Sequence, residues 1–113
     1  RNLPGPFTFI LRANNKVPKL FLSNRKSLGI RVPNSKIAMS LVELCGEPLV
    51  SASVHHPDST DVFLAQIEEI EKQYGHQVAW TIDAGEGGLM GSAIIDCTSE
   101  EPEIIREGPS PIL

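Results

Sequence analysis

Hydrophobic spacing along this chain switches between the period of two that marks a strand and the period near 3.6 that marks a helix. Residues 7–11, Phe-Thr-Phe-Ile-Leu, are rich in strand formers and lie between Pro4-Gly5-Pro6 and Asn14-Asn15, so they predict a strand. Residues 16–22 predict a short irregular or helical piece, and 28–32 a second strand stopped by Pro33. Ser35 is a good N-cap for a helix whose stripe is Ile37, Ala38, Leu41, Val42 and Cys45, and Gly46 is placed to end it. Residues 48–53 predict a third strand with Leu49 and Val50 as its buried part, and the polar stretch 54–59 predicts a loop.

Ser59 or Thr60 is then expected to cap a second helix, in which Phe63, Ile67, Ile70 and Tyr74 recur at spacings of three and four and Gly75 closes the run. Residues 78–82 predict a fourth strand, 92–96 a fifth after the glycine-rich stretch 85–91, and 103–106 a sixth. Strands that alternate with two helices and then run together imply an α/β or α+β domain, a mixed sheet carrying helices.

At 113 residues, 41% hydrophobic and 21% charged, the chain has the size and composition of one globular domain. No apolar run is long enough to span a bilayer, so no membrane role is expected. Cys45 and Cys97 read as two reduced packing cysteines of a cytoplasmic protein. The chain opens Arg1-Asn2-Leu3-Pro4, without the order of a signal peptide, and is expected to be a piece of a longer protein.

The net charge of −4 hides a sharp asymmetry. Residues 1–42 carry eight cations (Arg1, Arg12, Lys16, Lys19, Arg25, Lys26, Arg31, Lys36) and no acid, a balance of +8. Residues 43–113 carry all 14 acids against Lys72 and Arg106, a balance of −12. A polyanion would meet one face and not the average.

The chemistry-bearing motifs narrow quickly. The glycines at 85, 87, 88 and 91 make no phosphate loop, because no Gly-Lys-Ser/Thr follows and the run enters a strand instead of a helix N-terminus. His55, His56 and His76 with two cysteines have no zinc-site spacing, and no bound metal is expected. No nucleophile motif is present. Small hydroxyls remain: Ser51 and Ser53 alternate at the end of an expected strand, and Ser92 opens another. Beside exposed backbone N–H groups, with Arg31 and Arg106 as bidentate clamps, they suit a phosphate or carboxylate site; they are equally well read as ordinary polar residues at strand edges.

The order of several short blocks resembles one family. Pro4-Gly5-Pro6-Phe7-Thr8-Phe9-Ile10-Leu11 is similar to the P-G-P-x-T-x-I-L signature of the YrdC/YciO family. Gly29-Ile30-Arg31-Val32-Pro33, Gly46-Glu47-Pro48-Leu49-Val50-Ser51-Ala52-Ser53, Asp83-Ala84-Gly85, Ser92-Ala93-Ile94-Ile95-Asp96 and Ile105-Arg106-Glu107-Gly108 follow in the family's order and cover nearly the whole chain. The YciO-type branch is the one most resembled.

The resemblance implies a YrdC-like fold, a twisted mixed sheet around a positively charged cavity. It also implies an activity, synthesis of threonylcarbamoyl-AMP from L-threonine, bicarbonate and ATP (ATP as a substrate carried with Mg), which feeds a tRNA modification. Thr8 and Arg31 would line the substrate cavity, Ser51 and Ser53 would approach the nucleotide phosphates, Ser92 the nucleotide, and Arg106 its phosphates or base side. Three departures accompany this. His55 stands where the family's S-x-N triplet has asparagine, Ala93 replaces a threonine, and the family's Lys/Arg substrate motif falls upstream of the segment present. The chain is therefore expected to be the C-terminal part of a domain of roughly 200 residues. A non-catalytic module binding double-stranded RNA or tRNA, suggested by the basic first 42 residues, is the alternative function.

Overall fold

Phe7 and Phe9 alternate with Thr8 and Ile10 along the first strand, and that alternation decides how the sheet forms. The computed structural model describes residues 1–113, the side chains of Thr60 and Asp61 excepted. Strand β1 (Phe7–Arg12) pairs antiparallel with β2 (Ser27–Ile30) on one side. On its other side it pairs parallel with β5 (Ala93–Asp96), which pairs antiparallel with β6 (Glu103–Arg106). The order β2-β1-β5-β6 is a mixed sheet, as the strand pattern and the resemblance both imply. Phe7 registers with Ala93 and Phe9 with Ile95, so one face gathers Phe7, Ala93 and Ile95 as a buried cluster with Phe9 and Cys97 packed on it. Burying a side chain such as Phe7 contributes about 2–3 kcal/mol. Thr8, Ile10, Ile94 and Asp96 fall on the opposite face.

This sheet belongs to the first of two compact units, formed by Arg1–Ser40 and Ser92–Leu113; the second is Leu41–Gly91. The expected first helix is present as α1 (Lys36–Cys45). Ser35 caps it as anticipated, its Oγ accepting from the Ala38 N–H at 3.2 Å, and Gly46 ends it in the left-handed region at φ +71°. No residue of α1 is buried, and Cys45, expected to pack, is exposed. The short irregular piece forms a single 3-10 turn at Lys19–Phe21, where Phe21 is exposed and not in the core.

The second unit departs most from the pattern. The expected loop and the expected start of the second helix instead form a hairpin of β3 (His55–His56) and β4 (Ser59–Phe63). Pro57-Asp58 makes the turn, with the Asp58 N–H donating to His56 Nδ1 at 3.2 Å, and the His55 ring packs on Phe63 at 4.6 Å. The expected capping role of Thr60 falls outside the described side chains. Helix α2 (Ile67–Tyr74) therefore begins later, after Gln66, and the Tyr74 hydroxyl donates to the His55 carbonyl at 2.7 Å. Residues 48–53 and 78–82 enter no ladder, and Leu49 and Val50, expected to be buried, are exposed.

Candidate functional site

Four of the six residues singled out from the sequence share one part of the first unit. Thr8 lies on β1, and Ser92 immediately precedes β5, the strand parallel to it. Their hydroxyls meet at 2.6 Å, an O–H···O bond between a half-buried threonine and a serine only 7% exposed. Arg106 lies opposite Ile94 on β6, and its Nε and Nη2 both donate to the Ser92 carbonyl, at 2.9 and 2.7 Å. A planar guanidinium fork closed on one oxygen fixes the residue that carries it. Register places Arg31 next to this group. β1 and β2 pair Phe9 with Ile30 and Ile10 with Gly29, so the position facing Thr8 is Arg31, the residue after β2. Arg31 is exposed.

Two glycines complete the local geometry, and neither is among the residues picked from the sequence. A Cβ on Gly29 would stand 3.3 Å from Thr8 Cγ2, so the glycine keeps the β2 side of Thr8 open. A Cβ on Gly108 would press into the Ala93 backbone beside Ser92, with Ala93 Cα at 3.0 Å. A glycine inside a strand and one just past another were the available signal, and both were visible in the motif blocks.

Ser51 and Ser53 lie in the second unit, and both are exposed. At the far end of β5, Asp96 accepts from the Thr98 hydroxyl at 2.6 Å and the Thr98 N–H at 2.9 Å. Those two bonds, with Arg25 contributing at longer range, hold its carboxyl below the ordinary aspartate value. Among the described residues, no three His, Cys, Asp or Glu side chains gather as metal ligands. No helix is long and apolar enough to cross a membrane.

The arrangement is a hydroxyl pair locked by an arginine, with a second, exposed arginine position beside it. Such a surface offers one O–H donor left free by the pair, hydroxyl oxygens as acceptors, and cationic charge to an anionic or polyhydroxy ligand.

Known proteins carry the same fold. The crystal structure of Escherichia coli YciO superposes with a TM-score of 0.91 at 38% identity, covering 97% of this chain and 53% of YciO. A protein of Haemophilus influenzae is 41% identical over 108 residues, covering 95% of this chain and 52% of that protein. The crystal structure of Pyrococcus abyssi Sua5 complexed with L-threonine superposes with a TM-score of 0.82 at 26% identity, covering 94% of this chain and 31% of Sua5. The P. abyssi threonylcarbamoyl-AMP synthase is 26% identical over 113 residues, 32% of its length. The chain thus spans about half the length of these curated relatives of Haemophilus influenzae and E. coli. A family model described as telomere recombination, for Sua5, YciO and YrdC domains, matches residues 1–108, and with nearly the whole chain so matched the protein belongs to the Sua5/YciO/YrdC family.

Proposed function

We propose that this chain forms the nucleotide-and-threonine-binding part of a threonylcarbamoyl-AMP synthase-like domain. The observation that carries the reading is the Thr8–Ser92 hydroxyl pair, fixed by the Arg106 fork and bordered by Arg31. Fixed hydroxyls meet a polar ligand without a further entropic penalty for ordering the site. The likeness to a Sua5 complexed with L-threonine and to a threonylcarbamoyl-AMP synthase supports the substrate class.

In this reading the amine of L-threonine condenses with bicarbonate, releasing water, to give a carbamate. A carbamate oxygen then attacks the α-phosphorus of ATP, forming the mixed anhydride as pyrophosphate leaves with its Mg2+. The protein positions the reactants and offsets phosphate charge. Thr8 and Ser92 orient the ligand, Arg31 meets its charge, and Arg106 keeps the hydroxyl pair in place. The protein is mixed with MgATP, L-threonine and bicarbonate, and pyrophosphate is measured. Release that depends on all three substrates is the expected result. Release no greater than background rules out the catalytic reading.

A second reading, a surface for double-stranded RNA or tRNA, has its own support. All eight cations of residues 1–42 are exposed, and none forms an ion pair with a described acid within 4.0 Å. The charge of this segment is thus turned to solvent. If it binds a phosphate backbone, affinity falls steeply and linearly in log–log salt titration, with a slope near −0.9 per phosphate contacted. A flat titration excludes it.

A further inference from the structure

The connection between β1 and β2 is a basic loop with an apolar tip. Residues 12–26 carry Arg12, Lys16, Lys19, Arg25 and Lys26 and no acid. All five cations are exposed, and none lies within 4.0 Å of a described carboxylate. Between them stands the 3-10 turn Lys19–Phe21, in which Leu20 is 88% exposed and Phe21 45%. The turn is held by its own backbone. The Phe21 N–H donates to the Pro18 carbonyl at 3.0 Å and the Leu22 N–H to the Lys19 carbonyl at 3.2 Å. Behind it, residues 23–27 close a second turn, with Lys26 in the left-handed region at φ 55° and its N–H donating to the Ser23 carbonyl at 2.9 Å. The Ser23 and Ser27 hydroxyls meet across this turn at 2.9 Å. Arg12 is fixed at the base of the loop, where its Nε donates to the Thr98 carbonyl at 2.9 Å. A loop so held presents its cations and its apolar tip without a further cost of ordering on binding.

The chemistry of the loop selects a partner. Cations that flank an exposed leucine and a half-exposed phenylalanine suit a bilayer with anionic headgroups, where charge meets charge and the apolar pair enters the boundary of the acyl chains. The paired N–H groups of Phe21 and Leu22 can leave water without being stranded. A nucleic-acid backbone would meet the same cations and leave Leu20 in water. We infer that the β1–β2 loop seats the protein on an anionic lipid surface, lying on the bilayer without crossing it. Thr8 stands four residues before Arg12 on β1, roughly 13 Å at about 3.3 Å per residue, and Arg31 follows the other end of β2. The lipid seat and the hydroxyl pair therefore occupy opposite ends of the paired strands. The inference does not rest on nucleotide binding, because the seat requires neither ATP nor threonine.

The whole chain is titrated with vesicles of phosphatidylcholine alone and of phosphatidylcholine with about 30% phosphatidylserine. The expected result is co-sedimentation with the anionic vesicles only, weakening as salt is raised. Replacing Lys16→Gln and Lys19→Gln together lowers the affinity about 25-fold, about fivefold for each cation at the surface. Leu20→Ser lowers it about tenfold. All three side chains are exposed, so the far-ultraviolet circular dichroism and urea midpoints of these variants match the parent. Trp80, the one tryptophan in the sequence, is 88% exposed and is replaced by Phe so that Leu20→Trp can report on the tip. Its emission shifts to the blue on anionic vesicles and not on neutral ones. Three results overturn the inference. The first is no preference for anionic vesicles. The second is binding that Leu20→Ser leaves unchanged, with no blue shift at position 20. The third is tighter binding to a double-stranded RNA that is lost with the two lysines and untouched by Leu20→Ser. ATP and threonine are absent throughout, so failure here and failure of the synthase reading are separate outcomes.

Discussion

Substituting Gly108 by Ala tests whether the last turn of the chain is packed against the strand that supports the hydroxyl pair. The new Cβ would press on the Ala93 nitrogen, with Ala93 Cα at 3.0 Å and Ala93 Cβ at 3.1 Å. All three are atoms of a strand residue only 1% exposed, whose N–H donates to the Pro6 carbonyl at 2.9 Å. No flexible side-chain tip is available to move aside, so β5 or the chain after β6 must shift. Overpacking of this kind costs about 1–3 kcal/mol, and weakening the Ala93–Pro6 bond adds about 1 kcal/mol. The reduced freedom of the unfolded chain returns about 0.4–1 kcal/mol. The net expectation is a loss of roughly 2–3 kcal/mol, read as a lower urea midpoint by circular dichroism and a Tm lower by about 10 °C. Gly88→Ala is the control, because its Cβ meets nothing within 4 Å and should leave stability unchanged or slightly raised. If Gly108→Ala stays within about 0.5 kcal/mol of the parent, the range of an ordinary surface substitution, the packing argument is wrong.

Other outcomes follow from single contacts. Thr8→Val and Ser92→Ala should each destabilise by about 1 kcal/mol, and the double variant by less than their sum, because each single change strands the other hydroxyl; urea unfolding of all four proteins gives the coupling, about 0.5–1.5 kcal/mol. Ser35→Ala removes the acceptor for the Ala38 N–H and should cost about 1 kcal/mol, visible as reduced helical signal and a lower midpoint, with Ser35→Asp restoring it. Asp96 sets a pH dependence. Its folded value lies below the unfolded one, so its contribution is complete above the ordinary aspartate value of 3.8 and is lost as pH falls through that value and below it. Urea midpoints measured from pH 7 downward should fall more steeply for the parent than for Asp96→Asn; parallel curves would remove Asp96 from the account.

The parts of the fold that could be read from the chain are those whose causes lie within a few residues. Ser35 and Gly46 bracket α1 through bonds to positions three or four away, and the Phe7/Phe9 alternation names the buried face of β1 directly. The hairpin was misread because Phe63 sits four residues before Ile67 and so continues the helical spacing. What decides its state is His55, across the Pro57-Asp58 turn, which pairs with Phe63 and packs its ring on it. That is a non-local contact, and periodicity carries no trace of it. Residues 48–53 and 78–82 failed for the converse reason: their composition is that of strands, yet composition alone makes no ladder, and neither segment pairs with another strand. At the candidate site, Thr8, Arg31, Ser92 and Arg106 were legible as types and motif positions. Their meeting depends on the order β2-β1-β5-β6, which no single segment encodes.

The two arginines looked equivalent as anion clamps in the sequence, and the structure separates them. Arg106 has Nε and Nη2 engaged by the Ser92 carbonyl, so it supports the hydroxyl pair from behind. Arg31 is exposed, and among the described residues nothing hydrogen-bonds or ion-pairs with it. A cation held in water without a protein partner adds little to stability, so removing it should leave the urea midpoint within about 0.5 kcal/mol of the parent. Arg31→Ala should therefore weaken binding of a triphosphate, followed by calorimetric titration of MgATP, without unfolding the chain. Arg106→Ala should lower stability and binding together. Arg106→Lys should restore neither in full, since one ammonium cannot reproduce a planar fork on a single carbonyl. Were Arg31→Ala to unfold the protein, or Arg106→Lys to behave as the parent, the division between a charge that meets ligand and a charge that holds the site would have to be reversed.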